Sequence, residues 1–82
     1  MREAHILGWE CGAHLYIRFE NAYDTDALLL PELFHAALPY TMSWDSEQCA
    51  WRLTLHAIQD VSLLAHRYLG ERSFTYLGVG LL

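Results

Sequence analysis

Aromatic rings and guanidinium groups at alternating positions are the most suggestive chemistry in this 82-residue chain. Tyr16 and Arg18 stand two apart in His14-Leu15-Tyr16-Ile17-Arg18-Phe19-Glu20, and Arg52 and Thr54 stand two apart in Cys49-Ala50-Trp51-Arg52-Leu53-Thr54-Leu55. Residues two apart on a strand share a face. Such a face can stack on unpaired bases through its ring and bind phosphate through its guanidinium groups. The same residue types are enriched where proteins meet proteins. Tyr16, Arg18, Arg52 and Thr54 are therefore the candidate contacts to a nucleic acid or a partner. The plainer alternatives are a solvated face, or one covered by a second subunit.

Other reactive groups point to less. Cys11-Gly12-Ala13-His14 has the spacing of half a zinc site, but structural zinc takes four ligands and no second knuckle follows. These residues read as turn and strand, with no metal expected. His56 and His66 do not stand at the three- or four-residue spacing that chelation from one helix uses. Asp24 with Asp26, and Asp45 with Glu47, fall in turn-like stretches, where carboxylates cap or solvate backbone. No nucleophile elbow or Walker loop occurs, and Gly78-Val79-Gly80 lacks the strand-loop-helix setting of a dinucleotide site. The expectation is a chain that is not an enzyme, with no cofactor and no small-molecule substrate.

Charge weighs against the phosphate reading. Ten acidic residues face five basic ones, all arginine, for a formal net charge of −5. Proteins that depend on phosphate neutralisation usually show the reverse balance. The five histidines lift the net charge toward zero below about pH 6.

Composition bounds the class. Hydrophobic residues make up 54% and charged residues 18%, so about 44 apolar side chains must be placed in one small domain. That excludes disorder, and it leaves more apolar surface than a thin core hides. Self-association is the simplest use of the surplus, which makes a homo-oligomer the expected state. Cys11 and Cys49 are too few for a disulfide framework and are expected to be reduced and mostly buried. No signal peptide stands out, and apolar runs such as Ala27 to Leu30 are far shorter than a membrane span. A cytoplasmic protein that does not contact membrane is expected.

The elements that must position these residues follow from periodicity. Ala4 to Trp9 reads as a strand, with Cys11-Gly12 as the turn after it. In His14 to Glu20, Leu15, Ile17 and Phe19 point one way and Tyr16, Arg18 and Glu20 the other. A loop is expected over Asn21 to Asp26 and a lead-in over Ala27 to Leu30. A helix is expected over Pro31 to Leu38, with proline at its first position. Tyr40 to Trp44 and Cys49 to Leu55 read as strands joined by Asp45-Ser46-Glu47-Gln48, with Asp45 bonding the backbone ahead. Ala57, Val61, Leu64, Ala65 and Tyr68 stripe a second helix over His56 to Leu69, with Thr54 as its cap and Gly70 as its stop. Ser73 to Leu77 closes the chain as a strand, which Gly78-Val79-Gly80 frays or continues. The expected fold is α+β, a two-layer sandwich of a mainly antiparallel sheet with two helices on one face, in the order β-β-α-β-β-α-β.

Four of these stretches together resemble the HARP domain, a module that accompanies annealing-type DNA helicases and is related to a damage-recognition module of repair helicases. They are Leu15-Tyr16-Ile17-Arg18-Phe19, the helix opening Pro31-Glu32-Leu33, the run Ser43-Trp44-Asp45-Ser46-Glu47-Gln48-Cys49-Ala50-Trp51, and the second amphipathic helix. Trp44, Asp45 and Trp51 match the tryptophan, acidic turn and second tryptophan of that family, and the resemblance spans about His14 to Leu69. It implies a small α+β fold that touches DNA beside a helicase-type protein, with Trp44 and Trp51 shaping the hairpin. The chain departs from the family in having only Arg52 near the hairpin and a longer connection over Asn21 to Leu30. Two functions are thus expected in competition. One is a HARP-like nucleic-acid-associated module accessory to a helicase or nuclease. The other is a protein-interaction or homo-oligomerisation module that uses the same face, or the final strand, as its seam.

Overall fold

A computed structural model describes residues 4–20, 30–70 and 73–79. Strand β1 (His5–Cys11) turns into β2 (His14–Glu20), and helix α1 (Leu30–Ala37) follows. Next come β3 (Ser43–Asp45), β4 (Ala50–Thr54), a 3-10 turn (Leu55–Ala57), helix α2 (Ile58–Leu69) and β5 (Phe74–Val79). The order is the expected β-β-α-β-β-α-β, and the fold is α+β. One five-stranded sheet runs β3-β4-β2-β1-β5. Its β1–β2, β2–β4 and β3–β4 pairs are antiparallel, while β5 lies parallel to β1 at the edge.

Period-two alternation decides which side of the sheet is buried. Ile6, Leu15, Ile17 and Leu53 point toward the helices and pack with Leu30, Phe34 and Leu38 from the first helical segment. Ala57, Val61, Leu64 and Ala65 complete the same core from the second, so both helices lie on one face. Phe34, fully buried, meets Phe19 edge-on with ring centroids 5.2 Å apart. Burying a side chain of that size stabilises the fold by roughly 1.5–3 kcal/mol, which makes Phe34 a central anchor.

The ends of the elements have local causes. Gly12 and Ala13 both take positive φ, +58° and +65°, the combination that a two-residue type I′ hairpin requires. Gly70 ends α2 at φ +91° and ψ −175°, a region open essentially to glycine alone. The buried Ser73 Oγ lies 2.9 Å from the Ala65 carbonyl and 2.7 Å from that of Gly70, tying the end of α2 to the start of β5.

Several expected details are corrected. The first strand reaches Cys11, because the turn is Gly12-Ala13 rather than Cys11-Gly12. The third strand is confined to Ser43–Asp45, since Tyr40 and Met42 turn into the core instead of pairing. Thr54 makes no side-chain cap; its hydroxyl lies 3.5 Å from His56 Nδ1, and α2 begins only after the 3-10 turn. Leu33, expected on the apolar stripe of the first helix, is 41% exposed, and Tyr68 is 40% exposed while still tilted against Phe34. Cys49 is exposed rather than buried, because it sits in the β3–β4 turn at φ +52°. The final strand continues through Gly78 to Val79. The loop expected over residues 21–26 and its carboxylate pair, Asp24 and Asp26, lie outside the described residues, as do Ala27 and Gly80.

Candidate functional site

The sheet face away from the helices carries the expected contact residues. Register places His14 beside Thr54, and Tyr16 beside Arg52, which in turn neighbours Ser43. Tyr16, Arg18, Arg52 and Thr54 thus share one face, as the alternation predicts. Their accessibility differs sharply. Arg52 is exposed and Thr54 and Arg18 are half-buried, but Tyr16 is only 7% exposed.

Trp9 is the reason. It pairs with Tyr16 across β1 and β2, and the two rings stack with centroids 5.9 Å apart and planes inclined by 14°. Leu7, Cys11 and Ala50 complete a small second core on this face. A ring face expected to receive a base is therefore occupied by the protein's own indole. Sequence inspection missed Trp9, although its odd position in β1 puts it on the same side as Leu7 and Cys11. Its Nε1 is buried without a hydrogen-bond partner among the described residues, a desolvation cost of about 1–3 kcal/mol.

Arg18 is engaged in the same way. Its guanidinium lies 5.3 Å from the Trp9 ring centroid, donates from Nη2 to the Gln48 carbonyl at 2.8 Å, and donates from Nε to the Cys49 carbonyl at 3.2 Å. It clamps the β3–β4 turn onto the face of β1 and β2.

Asp45 organises that turn from the other side. Its Oδ1 accepts the Glu47 N–H at 2.9 Å and the Gln48 N–H at 3.1 Å, and its Oδ2 accepts the Tyr16 hydroxyl at 3.2 Å. The Gln48 N–H, then those of Glu47 and Tyr16, with Arg52 nearby, hold the carboxyl below its ordinary range against an opposing contribution from burial. Burial, followed by the bond to Asp45 and its charge, raises the Tyr16 hydroxyl. Across the same hairpin, Trp44 pairs with Trp51, edge to face at 5.3 Å. Trp51 packs on the core, whereas Trp44 is 55% exposed.

Arg52 is the cation of this face that reaches a cavity. An open groove of about 480 Å³ runs where β3 stops short of the end of β4, lined among others by His14, Tyr40, Thr41, Ser43, Arg52 and Thr54. Among the described residues, no three His, Cys, Asp or Glu side chains cluster as metal ligands would.

A second surface lies at the far edge of the sheet. Strand β5, Phe74-Thr75-Tyr76-Leu77-Gly78-Val79, carries no charge, and its Leu77 and Val79 are 60% and 64% exposed. Its inner side is defined by the Ile6 N–H, which donates to the Ser73 carbonyl at 2.7 Å. In a parallel ladder only alternate residues of a strand bond to one neighbour. Ser73 and Thr75 therefore direct their backbone groups at β1, and Phe74 and Tyr76 direct theirs outward. Two residues of β5, Leu77 and Gly78, stand against Trp9 where the register shifts between Gly8 and Glu10, a bulge formed at Gly78 with φ +84°.

No family model, curated protein or solved structure matches this chain. No described helix is long and apolar enough to cross a membrane.

Proposed function

We propose that this chain is a binding module that associates with protein through the open edge of its sheet. The observation that carries the reading is β5, an uncharged edge strand with outward backbone groups on Phe74 and Tyr76 and exposed Leu77 and Val79. Edge strands are ordinarily blunted by lysine, proline or shortness, and this strand has neither residue across six positions. The opposite edge, β3, is three residues long and includes Asp45. Strand addition takes affinity from main-chain hydrogen bonds and selectivity from alternate side chains, and β5 supplies both.

Amide exchange resolved by residue tests this reading. Association slows exchange at Phe74 and Tyr76, and Leu77→Lys, which charges the edge, restores it. Fast exchange at both amides in an associated sample would place the contact elsewhere and sink the reading.

A second reading, a nucleic-acid-associated module, draws on the groove beside Arg52 and on the resemblance to HARP domains. His14, Ser43, Thr54 and Arg52 supply donors suited to a phosphate. The test is binding of labelled single-stranded DNA across a salt series. Arg52→Gln is the informative variant, since Arg18 is held by the β3–β4 turn. Binding that weakens with salt and is lost in Arg52→Gln supports it; no binding at low salt removes it.

A further inference from the structure

We propose that the occupant of the β5 edge is a second copy of this chain, paired antiparallel about a two-fold axis through Thr75. The inference rests on β5 being an interaction edge and adds the partner and the register.

Symmetry and the strand's own irregularity leave little choice. A two-fold axis normal to the sheet keeps each face on its own side, so directly opposed residues must have the same parity. The bulge at Gly78 breaks the alternation, which leaves residues 73 to 77 as the regular stretch. That stretch is five residues centred on Thr75. Antiparallel pairing about its centre sets Ser73 against Leu77 of the second copy, Phe74 against Tyr76, and Thr75 against Thr75.

The backbone agrees with this register. Phe74 and Tyr76 are the residues whose amides and carbonyls face outward, and here they oppose one another, so each exchanges both hydrogen bonds with its counterpart. Thr75, whose backbone groups are used on β1, falls at the pair that needs none. The side chains agree as well. Phe74 and Tyr76 lie on the helix side of the sheet, in register with Ile6 and Gly8, so the seam gains two aromatic cross-strand pairs. On the opposite side Thr75 is held by its hydroxyl, 2.8 Å from His5 Nε2.

Electrostatics favours a copy of the same chain at this edge. A molecule of net charge −5 repels its own kind over most of its surface, and β5 carries no carboxylate. The apolar surplus of the composition also finds cover there: the doubled sheet runs through ten strands, twice the five of one copy, and buries Leu77 beside Ser73 of the partner.

The experiment uses the full chain with Cys11→Ser and Cys49→Ser, into which Thr75→Cys or Leu77→Cys is introduced. Two Thr75 positions lie about 4.5 Å apart at Cα in this register, within disulfide reach. Two Leu77 positions lie about 14 Å apart, beyond it. Mild oxidation is expected to give mostly covalent dimer from Thr75→Cys and none from Leu77→Cys. Light scattering on the unmodified chain is expected to give about twice the monomer mass, reverting to monomer in Tyr76→Pro. Leu77→Lys serves as the second disrupting variant if proline impairs folding. Association that both variants abolish, with no crosslink at Thr75→Cys, overturns the two-fold register and leaves β5 as the interaction edge. Association that neither variant alters overturns the edge reading along with the register. A monomer at about 1 mM overturns the second copy as occupant.

Discussion

The guanidinium of Arg18 covers the indole of Trp9 at 5.3 Å while its nitrogens hold two carbonyls of the β3–β4 turn, so one side chain joins three strands on the face away from the helices. A residue used in this way stabilises more than it recruits. Arg18→Ala is expected to cost about 1–2 kcal/mol, from the lost cation–π contact and two charge-assisted bonds. Arg18→Lys recovers only part, because an ammonium cannot reproduce the fork. Thermal unfolding reads the difference, and a melting point unchanged in Arg18→Ala would return Arg18 to the list of free contact residues.

Asp45 makes stability depend on acid. Its carboxyl is held low chiefly by the Gln48 and Glu47 N–H groups and the Tyr16 hydroxyl, so the folded state favours the ionised form. The resulting stabilisation is fully present above the unfolded value near pH ~4 and fades as pH falls through the lowered folded value. Denaturant midpoints measured from pH 6 down to pH 2 should show this loss, and Asp45→Asn should flatten the curve over that window. A variant with the parent's acid slope would assign the slope to other carboxylates.

Ala13 adopts φ +65° at the tip of the β1–β2 hairpin, where a Cβ is penalised. Ala13→Gly is expected to raise stability by about 0.5–1 kcal/mol, the left-handed penalty less glycine's added chain entropy. A lowered melting point would mean that the Ala13 methyl makes a contact worth more than its strain.

Gly8 leaves room on β1 for the Phe74 ring, since a Cβ there would sit 2.9 Å from two of its carbons. Gly8→Ala is expected to destabilise by about 1–3 kcal/mol as the ring is pushed off the core. Phe74→Leu should cost less in the Gly8→Ala background than in the parent, a coupling that a double-mutant cycle measures. Additive effects would show that the ring swings aside freely.

The tryptophan pair divides its labour. Trp51→Ala is expected to cost about 3 kcal/mol, because the ring packs on the core, whereas the largely exposed Trp44 should cost about 1 kcal/mol. Equal losses would contradict that placement.

Much of this fold is written in local pattern. Leu15, Ile17 and Phe19 alternate with Tyr16 and Arg18, and that spacing alone settles which residues share a face. Val61, Leu64 and Ala65 do the same for the second helix, and Asp45 between Trp44 and Trp51 marks a turn whose carboxylate takes the backbone ahead. Such signals are legible because a side chain's direction depends only on its neighbours' dihedral angles. What covers a face, and which strand lies beside which, depends on residues far apart in the chain. The stacking of Trp9 on Tyr16, the capture of Arg18 by the β3–β4 turn and the burial of a ring expected to be open all arise from strand pairings that alternation does not encode. The parallel placement of β5 against β1 likewise joins the two ends of the chain, and the tertiary structure alone turned that strand into an exposed edge.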